Sequence, residues 1–160
     1  MEISVKQMMQ IENNGHSMGF LKKFMMENAG AISVKRLAEK FDTLKSKKIL
    51  IFAGLGNNGG DGLVMARHLA GYDSQVIVIL LGTPDKIKTE ESKWNWSLLE
   101  KMKSITLTSF INSNFDFIPD IIVDGILGTG ISGEIKEPYA SAIKYNNNTK
   151  CFKISVHITS

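Results

Sequence analysis

The chain alternates between short apolar runs and longer segments in which polar and apolar positions are mixed. The apolar runs lie at positions 48–53, 75–81, 105–108, 120–124 and 151–158. Runs of this length are typical of strands that are buried on both faces of a sheet. The pattern therefore predicts five strands.

The longer segments between the apolar runs predict helices. These are expected at about positions 4–12, 17–41, 61–71 and 89–103, and a further helix is expected to begin at Pro138. Strands that alternate with helices form a parallel sheet covered on both faces. The predicted fold is a Rossmann-like three-layer α/β/α sandwich with a mostly parallel sheet, shortened at its C-terminus.

Two asparagine-rich segments are interpreted as chain breaks. The Asn-Asn-Gly sequence at 13–15 is expected to end the first helix, and the three asparagines at 146–148 are expected to form a turn before the last strand. No internal repeat is visible. The whole chain, residues 1–160, is therefore expected to form one domain.

Glycines are concentrated between the first predicted strand and the helix that follows it. Five occur within nine residues, at positions 54, 56, 59, 60 and 62. Glycine allows the backbone to take positive φ and allows a ligand to approach closely. A strand that turns into a helix N-terminus also presents several unpaired backbone N–H groups at one point. The segment is predicted to bind an anion or a polar ligand.

The residues around this turn restrict its ligand. The spacing Gly54-x-Gly56-x-x-Gly59 matches the dinucleotide-binding fingerprint, but the next predicted strand ends without the acidic residue that would hold a ribose. No Gly-Lys-Ser/Thr follows the loop, which excludes a Walker-type phosphate loop. Asp61 lies inside the turn, where its charge would repel a phosphate. The loop is expected to hold a cation, a ribose or a neutral ring, with phosphates at its margin.

A second glycine-rich loop follows the fourth predicted strand, and Asp124 lies at the end of that strand. In an open α/β sheet, ligands bind outside the carboxyl ends of the strands. Both loops are expected to open at this edge, which would bring Asp61 and Asp124 into one neighbourhood. Two carboxylates in one site stay ionised only when a cation or a donor lies between them. A hard cation with oxygen ligands is predicted there, with potassium as plausible as a divalent ion.

The two loops resemble those of the YjeF N-terminal domain family, the NAD(P)H-hydrate (NAD(P)HX) epimerases. The family's Gly-Asn-Asn-Gly-Gly-Asp-Gly loop matches residues 56–62, and its Asp-Gly-x-x-Gly-Thr-Gly loop matches residues 124–130. A third motif, Met-Glu-Asn-Ala-Gly, matches residues 26–30, on the helix before the first strand. The resemblance covers nearly the whole chain.

This resemblance implies a set of site residues and an activity. The implied substrate contacts are Asn57, Asn58, Gly59, Gly60, Asp61, Gly128, Thr129, Gly130, Ile131, Ser132, Gly133 and Glu134. The implied ligands of a potassium ion are Asn58, Asp124 and Ser160. The implied activity is that of an isomerase of nicotinamide nucleotide repair, which interconverts the R and S forms of hydrated NADH and NADPH (NADHX and NADPHX). A separate NAD(P)HX dehydratase is an expected partner.

The chain departs from the family pattern at its C-terminus. Where the family has Val-Asp-Ile-Pro-Ser-Gly, this chain has Val-His-Ile-Thr-Ser at 156–160 and then ends. His157 stands at the position of the family's substrate-contacting aspartate, and its interpretations as a catalytic residue and as a core strand histidine both stay open. Because a histidine is mostly neutral at pH 7, we expect epimerase activity to be very low or absent and nucleotide binding to be kept.

Two other function classes are alternatives to the epimerase. The first is a catalytically inactive nucleotide-binding or protein-interaction module of the same fold. The second is a conventional NAD-dependent dehydrogenase, which is disfavoured by the missing acidic residue and by the acidic loop. Simpler interpretations also exist for single residues: Asp61 as a helix N-cap, Asp124 as a turn former, and His68 as a surface or packed histidine.

Composition narrows the class of protein further. At 160 residues with 43% hydrophobic content, the chain can bury one core. Its 19 basic residues are dispersed among 16 acidic ones, so a net charge of +3 does not predict a nucleic-acid surface. A single cysteine suits a reducing cytoplasm, and neither a membrane span nor a signal peptide is predicted.

A homodimer or a larger assembly is predicted on two grounds. The early chain end is expected to leave sheet edges open, and the N-terminal helices are rich in methionine.

Overall fold

The computed structural model of the protein describes residues 4–109, 117–128 and 133–156. Its strands are β1 Lys48–Ala53, β2 Gln75–Leu80, β3 Ile105–Ser109, β4 Ile121–Gly125 and β5 Phe152–Ser155. In the described ranges these strands form one sheet in the order β3-β2-β1-β4-β5, and every neighbouring pair is parallel. The five predicted strands and the parallel sheet are confirmed.

The central strand β1 is apolar because both of its faces are covered. Its residues 49–53 have no exposed surface. Ile51 pairs with Val78 of β2 on one side and with Val123 of β4 on the other. A parallel sheet enclosed by helices requires continuous apolar runs instead of the alternation seen in half-exposed sheets.

Helices cover both faces of the sheet. They are α1 Val5–Ser17, α2 Lys22–Lys40, α3 Asn57–Ala70, α4 Glu90–Leu99 and α5 Tyr139–Asn148, with a short 3-10 turn at Pro84–Lys86. One hydrophobic core contains Leu37, Leu63 and Leu99 of α2, α3 and α4, and a second core on the opposite face contains Ala142 of α5. The predicted α/β/α sandwich is confirmed. Within the described ranges, no helix has both the length and the apolar composition needed to cross a bilayer.

The sequence predicted that residues 13–15 would end the first helix. This prediction is wrong, because these residues are helical. The helix α1 starts with a capping box between Ser4 and Gln7 and continues to Ser17. Gly15 has a packing role, because a Cβ at this position would lie 2.6 Å from Cε of Met25 on α2. The chain instead turns at Gly19, whose φ of +96° favours glycine. The second helix consequently begins later than predicted, at Lys22.

The asparagines at 146–148 are helical, so the predicted turn is wrong. They form the last turn of α5, and Asn146 is only 6% exposed. Its Nδ2 donates a 2.8 Å hydrogen bond to Oδ2 of Asp124. Asparagine favours turns when its side chain bonds to its own backbone. Here a tertiary partner takes that role, and the helix continues.

Candidate functional site

The two glycine-rich loops meet at the carboxyl edge of the sheet. The N–H of Gly54 donates a 2.9 Å hydrogen bond to the carbonyl oxygen of Gly125. Nδ2 of Asn58 donates a 2.7 Å hydrogen bond to the carbonyl oxygen of Leu127. Because β1 and β4 are neighbours in the sheet, the loops that follow them leave the sheet side by side. The expectation that both loops open at the same edge is confirmed.

The loop glycines allow two backbone segments to approach each other. A Cβ on Gly59 would lie 1.8 Å from the carbonyl oxygen of Gly54, and a Cβ on Gly54 would lie 2.2 Å from that of Ile126. In the described part of the chain, the glycines with positive φ are Gly19, Gly82 and Gly133. The glycines of the first loop therefore do not use the positive φ that glycine allows, because much of that loop already belongs to α3.

The helix α3 begins at Asn57 and not at Asp61. Gly56 is its N-cap residue, and none of the described side chains caps this helix end. The N–H of Gly60 donates a 3.1 Å hydrogen bond to the carbonyl oxygen of Gly56, so the N–H groups of residues 57–59 precede the first intrahelical bond. Such a helix N-terminus favours the anionic groups of a ligand. Asp61 lies inside the helix, and its interpretation as an N-cap is wrong.

A cavity of about 470 Å³ lies beside Asp61 and is called the Asp61 cavity below. Its volume is in the range of small-molecule sites, about 300–1,000 Å³. Its polar lining consists of Glu12, Lys22, Ser33, Asn57, Asp61, Glu91 and Ser155. Its apolar lining consists of Met8, Met25, Met26, Ala29, Ile32 and Val156. The cavity thus combines charged groups with a flexible methionine wall.

Asp61 is a carboxyl group of this cavity with a strongly raised pKa. Burial raises its pKa from 3.8 to about 7, and the charge of Glu12 adds to the rise. A carboxyl with a pKa near 7 exchanges its proton readily at neutral pH.

The sequence predicted Asp124 as the second carboxylate beside Asp61, and the structure corrects this to Glu12 of α1. Side chains alternate along a strand. Val123 therefore joins the core below α3, whereas Asp124 bonds to Asn146 of α5 on the other face.

A second cavity, of about 710 Å³, also touches the start of α3 and is called the Lys88 cavity below. Its lining consists of Leu55, Gly56, Asn57, Asn58, Gly59, Lys88, Thr89, Ile126, Leu127, Gly128, Glu134, Ile135, Lys136, Glu137 and Tyr139. The helix N-terminus favours a phosphate group, and the lining carries two lysines, Lys88 and Lys136, beside two carboxylates, Glu134 and Glu137. Asn57 lines both cavities, so one extended ligand can contact both.

Hydrogen bonds hold both carboxylate oxygens of Asp124. Oδ1 accepts a 3.1 Å bond from the N–H of Ile126, which is an Asx turn and agrees with the turn-forming interpretation. Oδ2 accepts the bond from Asn146, whose own Oδ1 is buried and has no hydrogen-bond partner among the described residues. Among those residues, no group of three or more His, Cys, Asp or Glu side chains is arranged to hold a metal ion. One carboxylate with amide and carbonyl oxygens fits an alkali cation better than a transition metal.

The motif at residues 26–30 docks α2 on α3 at the edge of the Asp61 cavity. A Cβ on Gly60 would lie 2.6 Å from Cε of Met26, and a Cβ on Gly30 would lie 2.5 Å from Cγ1 of Val64. Both glycines therefore permit the two helices to approach closely. The motif shapes the wall of the cavity through Met26 and Ala29.

Glu27 of the same motif fixes the two helices by polar contacts. It forms an ion pair with Arg67 and a 2.7 Å contact with Nε2 of His68. Burial opposes the ionisation of Glu27, but the hydrogen bonds from Arg67 and His68 prevail and lower its pKa. His68 therefore belongs to a packing contact, in agreement with its interpretation from the sequence.

The predicted substrate residues divide between the two cavities. Asn57 and Asp61 line the Asp61 cavity. Those that line the Lys88 cavity are Asn57, Asn58, Gly59, Gly128 and Glu134. Gly60 is buried against Met26 and Ser92, and Gly133 is exposed. Thr129, Gly130, Ile131, Ser132, His157 and Ser160 lie outside the described residues.

The residues at these sites that were not predicted from the sequence include Glu12, Asn146 and Lys88. Glu12 and Asn146 carry no local signal, since their partners Asp61 and Asp124 lie far away in the chain. Lys88 follows β2, and the rule that ligands bind beyond the carboxyl ends of strands would have pointed to it. Its N–H donates a 2.8 Å hydrogen bond to the carbonyl oxygen of Leu55, which brings its segment against the first loop.

Comparisons with known proteins agree on one family. The family described as YjeF-related protein N-terminus matches residues 22–160. The NAD(P)H-hydrate epimerase of Nitrosopumilus maritimus is 69% identical over 160 residues, which is all of this chain and 74% of that protein. The protein of the same name from Cenarchaeum symbiosum is 59% identical over the same shares of the two chains.

More distant matches extend this picture. The bifunctional NAD(P)H-hydrate repair enzyme Nnr of Methanothermobacter thermautotrophicus is 39% identical over 153 residues, which is 92% of this chain and 29% of that enzyme. The crystal structure of the yeast protein ynu0 superposes with a TM-score of 0.84 at 26% identity, over all of this chain and 71% of that one.

Proposed function

Because the chain belongs to the YjeF-related protein N-terminus family, we propose that it is an NAD(P)H-hydrate epimerase, which interconverts the R and S forms of hydrated NADH and NADPH. The names of the two relatives at 69% and 59% identity support this activity. The observation that carries it is Asp61, a carboxyl group with a pKa of about 7 in a cavity of ligand size. Epimerisation needs such a proton carrier and no net redox change.

The chemistry requires a proton to leave and to return at one hydroxyl group. The hydrated ring carbon carries that hydroxyl and is bonded to the ring nitrogen. When the hydroxyl proton is removed, the carbon–nitrogen bond breaks, an aldehyde forms and the nitrogen takes a proton from water. Rotation and reclosure by the reverse steps give the other epimer. Ionised Asp61 accepts the hydroxyl proton, and protonated Asp61 returns it, since both forms are populated near pH 7.

The remaining parts of the substrate are assigned to the start of α3 and the Lys88 cavity. The N–H groups of residues 57–59 and the ammonium group of Lys88 suit the diphosphate. Asn57, which lines both cavities, connects the two halves of the site. Asn58, Gly59 and the second loop from Gly128 to Glu134 complete the proposed substrate contacts. This assignment gives phosphates a larger share of the site than the sequence predicted.

Asn58 and Asp124 are the proposed potassium ligands in the described part of the chain. Asn58 is anchored to the second loop through Leu127, and Asp124 begins that loop. The buried Oδ1 of Asn146, which has no hydrogen-bond partner among the described residues, supports a cation beside Asp124, because two clustered acceptors create negative potential. When bound, potassium would neutralise this charge and fix the two loops relative to each other. Ser160 remains a third proposed ligand.

The proposed partners follow from composition and surface. Two exposed rings on the α1–α2 side, Phe20 and Phe24 at 47% and 45%, favour a homodimer. Relatives named bifunctional repair enzymes suggest that a dehydratase works with this chain, as a separate protein.

The single cysteine, Cys151, suits a cytoplasmic location.

A second candidate function is a nucleotide-binding module without turnover, and His157 is the observation that favours it. The resemblance places an aspartate at this position. A histidine in place of this aspartate removes a negative charge and a hydrogen-bond acceptor for substrate hydroxyls. Under this alternative the cavities bind hydrated nucleotide, but the epimers do not interconvert.

The test is conversion of R-form hydrated NADPH to the S form, followed by chromatography with the purified chain. Asp61→Asn is expected to lose at least about a hundredfold in rate, as for removal of a general acid–base group, whereas Asp42→Asn at an exposed position should match the parent. His157→Asp is expected to raise the turnover. Binding without conversion in both the parent and His157→Asp would favour the binding module, and full activity of Asp61→Asn would overturn the assignment of Asp61.

A further inference from the structure

Asn146 is a buried amide whose hydrogen-bonding capacity is only partly used. It lies in the last turn of α5 and is 6% exposed. Its Nδ2 donates a 2.8 Å hydrogen bond to Oδ2 of Asp124, while its Oδ1 has no partner among the described residues. Buried amide oxygens are rarely left unpaired, since losing water without replacement is unfavourable. This arrangement calls for a positive group or a donor beside Asp124.

The packing of α5 makes Asn146 a rigid support. The preceding residue, Tyr145, packs edge-on against Phe52 of β1 with ring centroids 5.8 Å apart. Ala142, one turn earlier, has no exposed surface. The side chain of Asn146 is therefore presented to Asp124 from a helix that the core holds in place. A support on a packed helix is more precise than one on a loop.

The contacts of Asp124 explain why this support is needed. The carboxylate is only partly buried and lies at the junction of β4 and the second loop. One oxygen is held by the N–H of Ile126 and the other by Asn146. Without Asn146, the bond from Ile126 is the one that remains to this carboxylate among the described residues, and the carboxylate can rotate about it. Because Oδ1 of Asn146 shares a carbon with Nδ2, it also lies within a few ångströms of the carboxylate and adds to the negative potential.

We propose that Asn146 is a positioning residue of the cation site at Asp124: it orients the carboxylate through Nδ2 and raises the site's affinity for potassium through the field of Oδ1. The inference rests on the proposed function, which assigns the cation to Asn58 and Asp124. It adds a residue that lies 22 positions from Asp124 in the chain. Partners that orient metal ligands typically change metal affinity by about 10–100-fold.

The experiment follows thermal unfolding of the full chain while potassium chloride replaces tetramethylammonium chloride at constant ionic strength. For the parent, the melting temperature is expected to rise with potassium. For Asn146→Leu, which is similar in size but lacks the amide, the half-maximal rise should require about tenfold more potassium. Asn147→Leu is the matched control, since Asn147 is the exposed neighbour in the same helix turn. It should follow the parent.

The comparison separates positioning from simple stability. If the melting temperature of a variant is lower than that of the parent by the same amount in both salts, the substitution has only weakened packing. If the potassium concentration that gives the half-maximal rise is higher than for the parent, the substitution has weakened the cation site. Asn146→Ser is measured in parallel, because it removes the amide without adding an apolar group and keeps the test decisive if the leucine variant does not fold. A parent-like midpoint in the folded variants would overturn the inference. If the melting temperature of the parent does not change with potassium, both the role of Asn146 and the assignment of the cation site are wrong. The epimerase activity is tested independently by the conversion assay.

Discussion

Gly59 and Gly54 touch so closely that a Cβ on Gly59 would lie 1.8 Å from the carbonyl oxygen of Gly54. This contact joins the first turn of α3 to the end of β1. No side chain fits between the two backbones without moving the helix or the strand. The geometry of the proposed substrate site therefore depends on a packing contact as much as on the groups that touch a ligand.

Gly59→Ala is expected to destabilise the fold, by about 1–3 kcal/mol or more, as for overpacking of a filled interior. Gly56→Ala is the matched control. The φ of Gly56 is −104°, and a Cβ there would meet no atom of the described residues within 4 Å. The free energy of unfolding of Gly56→Ala should therefore differ from that of the parent by less than about 0.5 kcal/mol. Urea unfolding of the two variants checks this. Equal stability of the two alanine variants would contradict the packing role.

Glu12→Gln is expected to lower the pKa of Asp61. Burial is the larger cause of the raised pKa and remains, but the like charge that adds to it is removed. Glu39→Gln, which alters an exposed carboxylate on α2, should leave the pKa unchanged. Carbon-13 NMR titration of the Asp61 carboxyl measures the value directly. An unchanged pKa in Glu12→Gln would show that α1 does not act on the cavity.

Asp61→Asn is expected to stabilise the protein increasingly as the pH rises from 4 to 7. The folded pKa of about 7 lies above the ordinary value of 3.8, so the folded state binds the proton more tightly than the unfolded state. Asp61 therefore costs little stability below pH 4 and most above pH 7. The difference between the two proteins should reach on the order of 4 kcal/mol, since each unit of the pKa rise corresponds to about 1.4 kcal/mol. Denaturant titrations at several pH values check this, and a constant difference would contradict it.

Potassium is expected to strengthen nucleotide binding. Titration calorimetry with hydrated NADPH should give a lower Kd in potassium chloride than in tetramethylammonium chloride at equal ionic strength. Asp124→Asn should remove this difference, since it removes the charge that holds the cation. An Asp120→Asn variant, altered at an exposed position before β4, should retain it. Equal affinities of the parent in the two salts would rule out the cation.

The apolar surface at the start of α2 is expected to mediate dimerisation. Phe20 and Phe24 lie with ring centroids 6.2 Å apart and are both exposed. Replacing both with serine should shift light scattering at tens of micromolar, on the order where ordinary interfaces hold, from a dimer to a monomer. Tyr72→Ser, at an equally exposed ring beyond α3, should remain dimeric. A monomeric parent would contradict the prediction.

The strands, their order along the chain and the two glycine-rich loops of the proposed site could be predicted from the sequence alone. The run at 48–53 became β1 without change, because a strand buried on both faces must be continuously apolar. The glycines and Asp61 marked the first loop, and Asp124 marked the second. These signals are local, since each is carried by adjacent residues whose chemistry is incompatible with most other positions in an α/β fold.

Which side chains meet depends on the tertiary structure. It paired Asp61 with Glu12 and Asp124 with Asn146, and it showed that the loop glycines accommodate neighbouring backbone. No local pattern encodes these pairs, because they arise where separate helices dock on opposite faces of the sheet. The direction of each side chain depends on strand alternation and on helix packing, and both are defined only in the folded core.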